Sequence, residues 1–184
     1  MMKKDKALLV MDMQISITDR YENADSVIAN IKKSIEYARR NEIAIIFVMV
    51  SFRPGMPEVS ASNKVFFASK QRAGNTDMTE MMKIHPELTP MANDIVVKKY
   101  RFSAFSGSDL EILLRSMEIK QLILTGIATS GVVLSTLREA SDKDFVLTVL
   151  SDACTDTDPE IHNVLTTKIF PLQAEVISTE AWIS

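Results

Sequence analysis

Short apolar runs recur along the chain at 7–11, 43–50, 95–97, 122–124, 145–150 and 174–177. They are rich in Val and Ile, and most are apolar at consecutive positions instead of alternating with polar ones. Strands of a parallel sheet read this way, because helices cover both of their faces. Between the runs the apolar positions change to helical spacing. Val27, Ile28, Ile31, Ile35 and Ala38 form one stripe, and Leu110, Leu113, Leu114 and Met117 form a second. A third stripe is Val133, Leu134, Leu137 and Ala140. Ser108-Asp109-Leu110-Glu111 reads as a capping box opening the second helix. Asp158-Pro159-Glu160 opens a fourth, with Asp as N-cap and Pro at the first helical position.

Strands alternating with helices predict right-handed crossovers and a doubly wound sheet. The expectation is an α/β, three-layer, Rossmann-like arrangement: a mainly parallel sheet of about six strands with helices on both faces. Such sheets take ligands outside the carboxyl ends of their strands, so the residues following each run carry the functional information. Those are Asp12, Ser51, Lys98 and Lys99, and the stretches 125–132 and 151–157. Residues 51–93 break the rhythm with Pro54, Pro57, Pro86 and Pro90. A connection this long in a compact domain predicts a lid, a binding segment or an arm to another subunit. Its Phe66, Phe67, Met78, Met81 and Met82 are more apolar surface than a free loop should expose, which predicts a homodimer or larger self-assembly.

At 184 residues the chain fits one domain spanning 1–184, and a chain of this size buries roughly two thirds of its unfolded surface. The net charge of −3 and the lack of a basic block argue against nucleic acid or an anionic membrane as partner. No apolar run approaches the roughly 18 residues of a membrane span. The single cysteine, Cys154, cannot form an internal disulfide, so a cytoplasmic location is expected. Dinucleotide and P-loop glycine motifs are absent, as is the G-x-S-x-G elbow. The only histidines, His85 and His162, lie apart and lack ligand spacing, so surface or capping roles are expected and no metal or cofactor is called for.

Three segments leave strands with chemistry attached. Leu9-Val10-Met11-Asp12-Met13-Gln14 ends an apolar strand in a carboxylate, which alone could be an ordinary N-cap. Lys98-Lys99-Tyr100-Arg101-Phe102-Ser103-Ala104-Phe105 sets cations beside aromatics, which alone could be a solvated cluster. Thr125-Gly126-Ile127-Ala128-Thr129-Ser130-Gly131-Val132 is a small-residue turn, which alone could serve close packing. Together they resemble the isochorismatase-like hydrolases, the superfamily of nicotinamidases, N-carbamoyl amidohydrolases and isochorismatase. K-x-R-[FY]-S-A-F and T-G-[IV]-A-T carry the resemblance, and the ending 150–162 fits it.

The resemblance implies a catalytic Asp12 as general base and Lys99 as the lysine beside it. It implies a cis peptide between Ile127 and Ala128, aiming the Ala128 and Val132 N–H groups at an oxyanion, with Gln14 on the binding wall. The family's nucleophilic cysteine falls on Val132, which has no nucleophilic atom. Cys154 reads as a small buried residue, and Ser130 or Thr129 could replace the thiol only with Asp12 or Lys99 in reach. Standard cysteine-dependent amidase activity is therefore expected to be absent. Val132 is expected to begin a helix, whose N-terminus favours negative charge.

Three functions follow: hydrolysis of a small carbonyl or carboxylate compound with Asp12 as acid, as in true isochorismatases; non-catalytic binding of such a compound; or a structural homo-oligomer. Ile15-Ser16-Ile17 departs from the family's usual residues at the substrate wall.

Overall fold

The computed structural model describes residues 5–74, 80 and 82–184. Among these, six strands form one wholly parallel sheet: β1 (Lys6–Met11), β2 (Ala44–Val50), β3 (Ile95–Lys99), β4 (Gln121–Ile127), β5 (Val146–Thr155) and β6 (Glu175–Ile177). Their order across the sheet is β3-β2-β1-β4-β5-β6, the doubly wound arrangement that the patterning predicts. The order reverses between β1 and β4, the topological switch point at which sheets of this kind take ligands.

The helices are α1 (Ile15–Thr18), α2 (Ala24–Arg40), α3 (Lys64–Ala73), α4 (Leu110–Ser116), α5 (Leu134–Asp142), α6 (Pro159–Val164) and α7 (Thr179–Ile183). Alternate residues of β1 feed two cores: Leu8 and Val10 meet α2, while Leu9 and Met11 face Leu110, Leu114 and Leu137 of α4 and α5. Both cores are dry, which explains why the strand segments show no polar alternation. Tyr37 of α2 and Trp182 of α7 meet edge to face at 4.8 Å on the first side.

Four strands run past the apolar segments that announce them. β3 includes Lys98 and Lys99, and β4 continues through Thr125 and Gly126. β5 extends to Thr155, taking in Cys154, and β1 starts at Lys6. Backbone ladder bonds hold these polar ends, so hydropathy undercounts them. At α4 the expected capping box is replaced by a shorter bond. Ser108 Oγ accepts from Leu110 N–H and donates to Ala104 O, and Asp109 caps with no side-chain bond. At α6 the expected cap forms, with Asp158 accepting from Glu160 N–H at 2.8 Å.

The 51–93 stretch is not bare loop. It holds α3 and a 3₁₀ turn at Pro86–Leu88, where His85 Nδ1 accepts from Glu87 N–H. Phe66 is buried in an aromatic row with Phe52 and Phe102, and Met82 lies against Gln14 and Ser16. Phe66 and Met82, two of the apolar residues expected to seek another subunit, thus have partners within the chain. Met78 and Met81 lie outside the described residues.

Candidate active site

The register brings the three segments together at the carboxyl edge. Met11 pairs with Gly126 across β1 and β4, so Asp12 emerges beside the Ile127–Ala128 peptide, which is cis. This crossing is very close. A Cβ on Gly126 would lie 2.0 Å from Met11 O, and its φ of +129° lies where L side chains are strained. Asp12 leaves the strand at φ 56°, and its carboxylate caps no helix.

Lys99 reaches over β2 from β3 to this carboxylate. Its Nζ lies 2.8 Å from Asp12 Oδ2 and donates to Arg101 O at 2.8 Å. Lys99 is 1% exposed, whereas its neighbour Lys98 is exposed, the opposite orientation that successive strand residues must have. Asp12 Oδ1 is buried and has no hydrogen-bond partner among the described residues. Burial raises the Asp12 carboxyl above the ordinary range, and the Lys99 charge opposes this without cancelling it. A carboxyl raised in this way keeps its proton to higher pH than a free one, the direction that suits an acid.

Gln14 does not offer its amide to the crevice. Nε2 donates to Val50 O at 3.0 Å and Met82 O at 2.7 Å, and Oε1 accepts from Val50 N–H at 2.9 Å. Both amide hydrogens are committed, so Gln14 braces the end of β2 as an added ladder rung. The amide that the resemblance puts on the binding wall is thus spent on backbone partners. Ile15-Ser16-Ile17 forms α1, with Ser16 Oγ 3.6 Å from Met82 Sδ.

The turn after β4 also differs from expectation. Val132 does not begin an ordinary helix; it sits inside a π-helical turn, Thr129–Val133, and α5 starts only at Leu134. Ala128 O accepts from Gly131 N–H and Val133 N–H, and neither bond uses the Val132 N–H. Phe102 covers the turn, 3.7 Å from where a Cβ on Gly131 would stand, and Ala104 N–H donates to Thr136 Oγ1 at 2.9 Å. The segment after Lys99 is thereby fastened to the segment after β4. Val132 itself is 1% exposed.

Neither Thr129 nor Ser130 bonds to Asp12 or Lys99. Thr129 Oγ1 pairs with His162 Nδ1 at 2.8 Å, and Ser130 N–H donates to Asp156 Oδ2 at 2.7 Å. His162 is therefore half-buried and bonded, not a surface residue, and burial lowers its pKa against the pull of Asp156. Tyr21 is also part of this surround. Burial raises its pKa first, with Asp156 and then Asp12 adding to it. Sequence reasoning placed Asp156 only within the 151–157 stretch, gave His162 a surface or capping role, and missed Tyr21. Cys154 lies in β5 opposite Gly126, and burial pushes its thiol up to about 12. Among the described residues no cluster of His, Cys, Asp and Glu is arranged to hold a metal, and no helix is long and apolar enough to cross a membrane.

The isochorismatase domain model matches residues 6–181. Ureidoacrylate amidohydrolase RutB of Pseudomonas syringae pv. syringae is 31% identical, over 98% of this chain and 80% of its own. An uncharacterized isochorismatase family protein, YwoC of Bacillus subtilis, is 29% identical over 96% of this chain and 92% of its own. The solved structure of an isochorismatase family protein from Burkholderia thailandensis superposes with a TM-score of 0.84 at 27% identity, covering 96% of this chain and 93% of that one.

Proposed function

This chain belongs to the isochorismatase family of hydrolases, and from that premise we propose that it acts on a small carbonyl or carboxylate compound without a cysteine nucleophile. In this reading Asp12 is the acid that protonates the bound molecule, and Lys99 fixes the carboxyl and balances the charge left behind. The observation that supports it is the buried Asp12 carboxyl, with one oxygen held by Lys99 and the other without a hydrogen bond among the described residues. Ala128 and Val132 supply backbone N–H groups for the ligand's oxygen, which a valine side chain leaves in place.

Cys154 has no part. A thiol with a pKa of about 12 is almost wholly protonated at neutral pH, and only the thiolate attacks. The family position for a thiol is taken by Val132, so no acyl–enzyme bond forms there.

Residues 1–184 act as one domain, with 51–93 forming part of the site's wall and a contact to a second copy. Val65 and Met91, 51% and 60% exposed, are apolar groups of this stretch left for that contact. Mass measured by light scattering at micromolar concentration tests it, and a monomer overturns it.

The burial of Lys99 and Val132 favours a second reading, in which the closed site holds a ligand without turning it over, or only supports a homo-oligomer. A panel of ureidoacrylate, other carbamoyl compounds, simple amides and isochorismate separates these readings. Turnover that Asp12→Asn abolishes and Cys154→Ser leaves intact supports the acid reading. Turnover lost in Cys154→Ser makes that cysteine the nucleophile and overturns it. Saturable binding with no turnover favours the second reading.

A further inference from the structure

The turn that carries the Ala128 and Val132 N–H groups is gripped by side chains other than the Asp12–Lys99 pair. Two successive residues are held by side chains that come after β5. Ser130 N–H donates to Asp156 Oδ2 at 2.7 Å, and Thr129 Oγ1 pairs with His162 Nδ1 at 2.8 Å. These contacts join residues 26 and 33 positions apart, so no local turn geometry demands them. Thr129 is fully buried and Asp156 nearly so. Breaking either contact would leave a buried oxygen, on Thr129 or on Asp156, short of a partner.

Asp156 is anchored in turn, since its Oδ1 accepts from Thr157 N–H at 2.9 Å. His162 is fixed on α6, whose first turn is capped by Asp158. Within the turn itself, Ala128 O is the one acceptor for both Gly131 and Val133 N–H. A π-helical turn is less regular than an α-helical one and needs outside support to hold its N–H directions.

We infer that Asp156 and His162 are positioning residues for the ligand's oxygen, setting the direction of the Ala128 and Val132 N–H groups through Ser130 and Thr129. The inference rests on the reading above that those two N–H groups receive that oxygen. Its physical basis is the steep cost of misplacing backbone donors. Each well-aimed donor is worth about 10²- to 10³-fold in rate where an oxyanion forms, and a shift of about 1 Å forfeits much of that.

The first measurement needs no substrate. Amide hydrogen exchange in the full chain should rise at least about tenfold at residues 129–133 in Asp156→Ala and in His162→Phe, with β1 and β4 amides unchanged. Thr129→Val, which removes the same bond from its other end, should match His162→Phe, and His162→Asn, which keeps a polar atom near Nδ1, should restore protection. The β-strand amides report whether each variant has folded.

The second measurement reads the turn's electrostatics. In a Val132→Cys, Cys154→Ala chain, iodoacetamide alkylation against pH should show a lowered thiol pKa. His162→Phe should slow alkylation at pH 7 about tenfold, and His162→Asn should recover most of the rate. Unchanged exchange, or a lowered thiol pKa that ignores His162→Phe, overturns the positioning role alone. An ordinary thiol pKa with Asp156 and His162 intact counts instead against the oxygen-binding reading on which this inference rests.

Discussion

The two ends of the sheet differ in a way that size conceals. At the amino end, the starts of β5 and β6 and the 170–174 segment enclose an open hollow of about 400 Å³. Its lining is mostly apolar or neutral, including Phe145, Val146, Leu147, Pro171 and Leu172, with Glu175 as its one carboxylate. At the carboxyl end, Asp12, Gln14, Lys99, Thr129 and Asp156 are all buried. This hollow has no group poised to react, while the closed end concentrates costly polar burial. Burying charge is tolerated only where structure or function compensates, so the closed end is the one to read for chemistry.

Substitutions at the two ends should separate this contrast by magnitude. Gly126→Ala should have the largest effect, because its Cβ would meet Met11 O at 2.0 Å and backbone cannot step aside. A loss of more than about 4 kcal/mol, or no folded protein at all, is expected in urea denaturation. Near-native stability would mean that the β1–β4 crossing is looser than the geometry states.

Lys99→Met comes next, leaving Asp12 buried and alone. The cost should be about 3–5 kcal/mol at pH 7.5. The pH dependence follows from the Asp12 carboxyl, whose folded pKa already lies above its unfolded value. A group raised in this way contributes stability below its unfolded pKa and loses it as pH rises through the folded one. Removing the lysine raises the folded pKa further, so the deficit of Lys99→Met should shrink between pH 7.5 and pH 5. Denaturation curves at both pH values check this, and a deficit that grows on acidification contradicts the burial of Asp12.

Cys154 gives a chemical contrast. At pH 8 the folded chain should react with an alkylating reagent at roughly one hundredth or less of the unfolded rate, since so little thiolate exists. Mass spectrometry with and without urea measures the ratio. The smallest effect belongs to the open end. Leu172→Ser replaces a side chain 74% exposed and should change stability by less than about 0.5 kcal/mol. A larger loss would show that the hollow is covered in solution.

The sequence made the sheet legible because both faces of its strands are dry, and runs such as 7–11 and 43–50 cannot be written otherwise. It also made Asp12, Lys99 and the 125–132 turn legible, since each closes a strand with residues that a core would not choose. Strand ends were harder. Thr125, Gly126 and the stretch from Ser151 to Thr155 belong to strands through backbone bonds that hydropathy does not register. Gln14 was put on the binding wall by the family resemblance, and no motif shows that its amide serves as surrogate backbone. His162 was hidden for another reason: its partner Thr129 is 33 positions away, and only the fold of β4, β5 and α6 brings them together.

The strand that delivers Lys99 is the outermost of its half of the sheet, and the ion pair spans β2 to reach Asp12 on β1. The pair therefore works as a latch with a proton count attached. When the edge strand frays, water reaches the carboxyl, its affinity for a proton falls towards the ordinary value, and the ammonium swings out with the strand. Opening the edge and wetting the acid become one event, so whatever steadies this border also keeps Asp12 out of water.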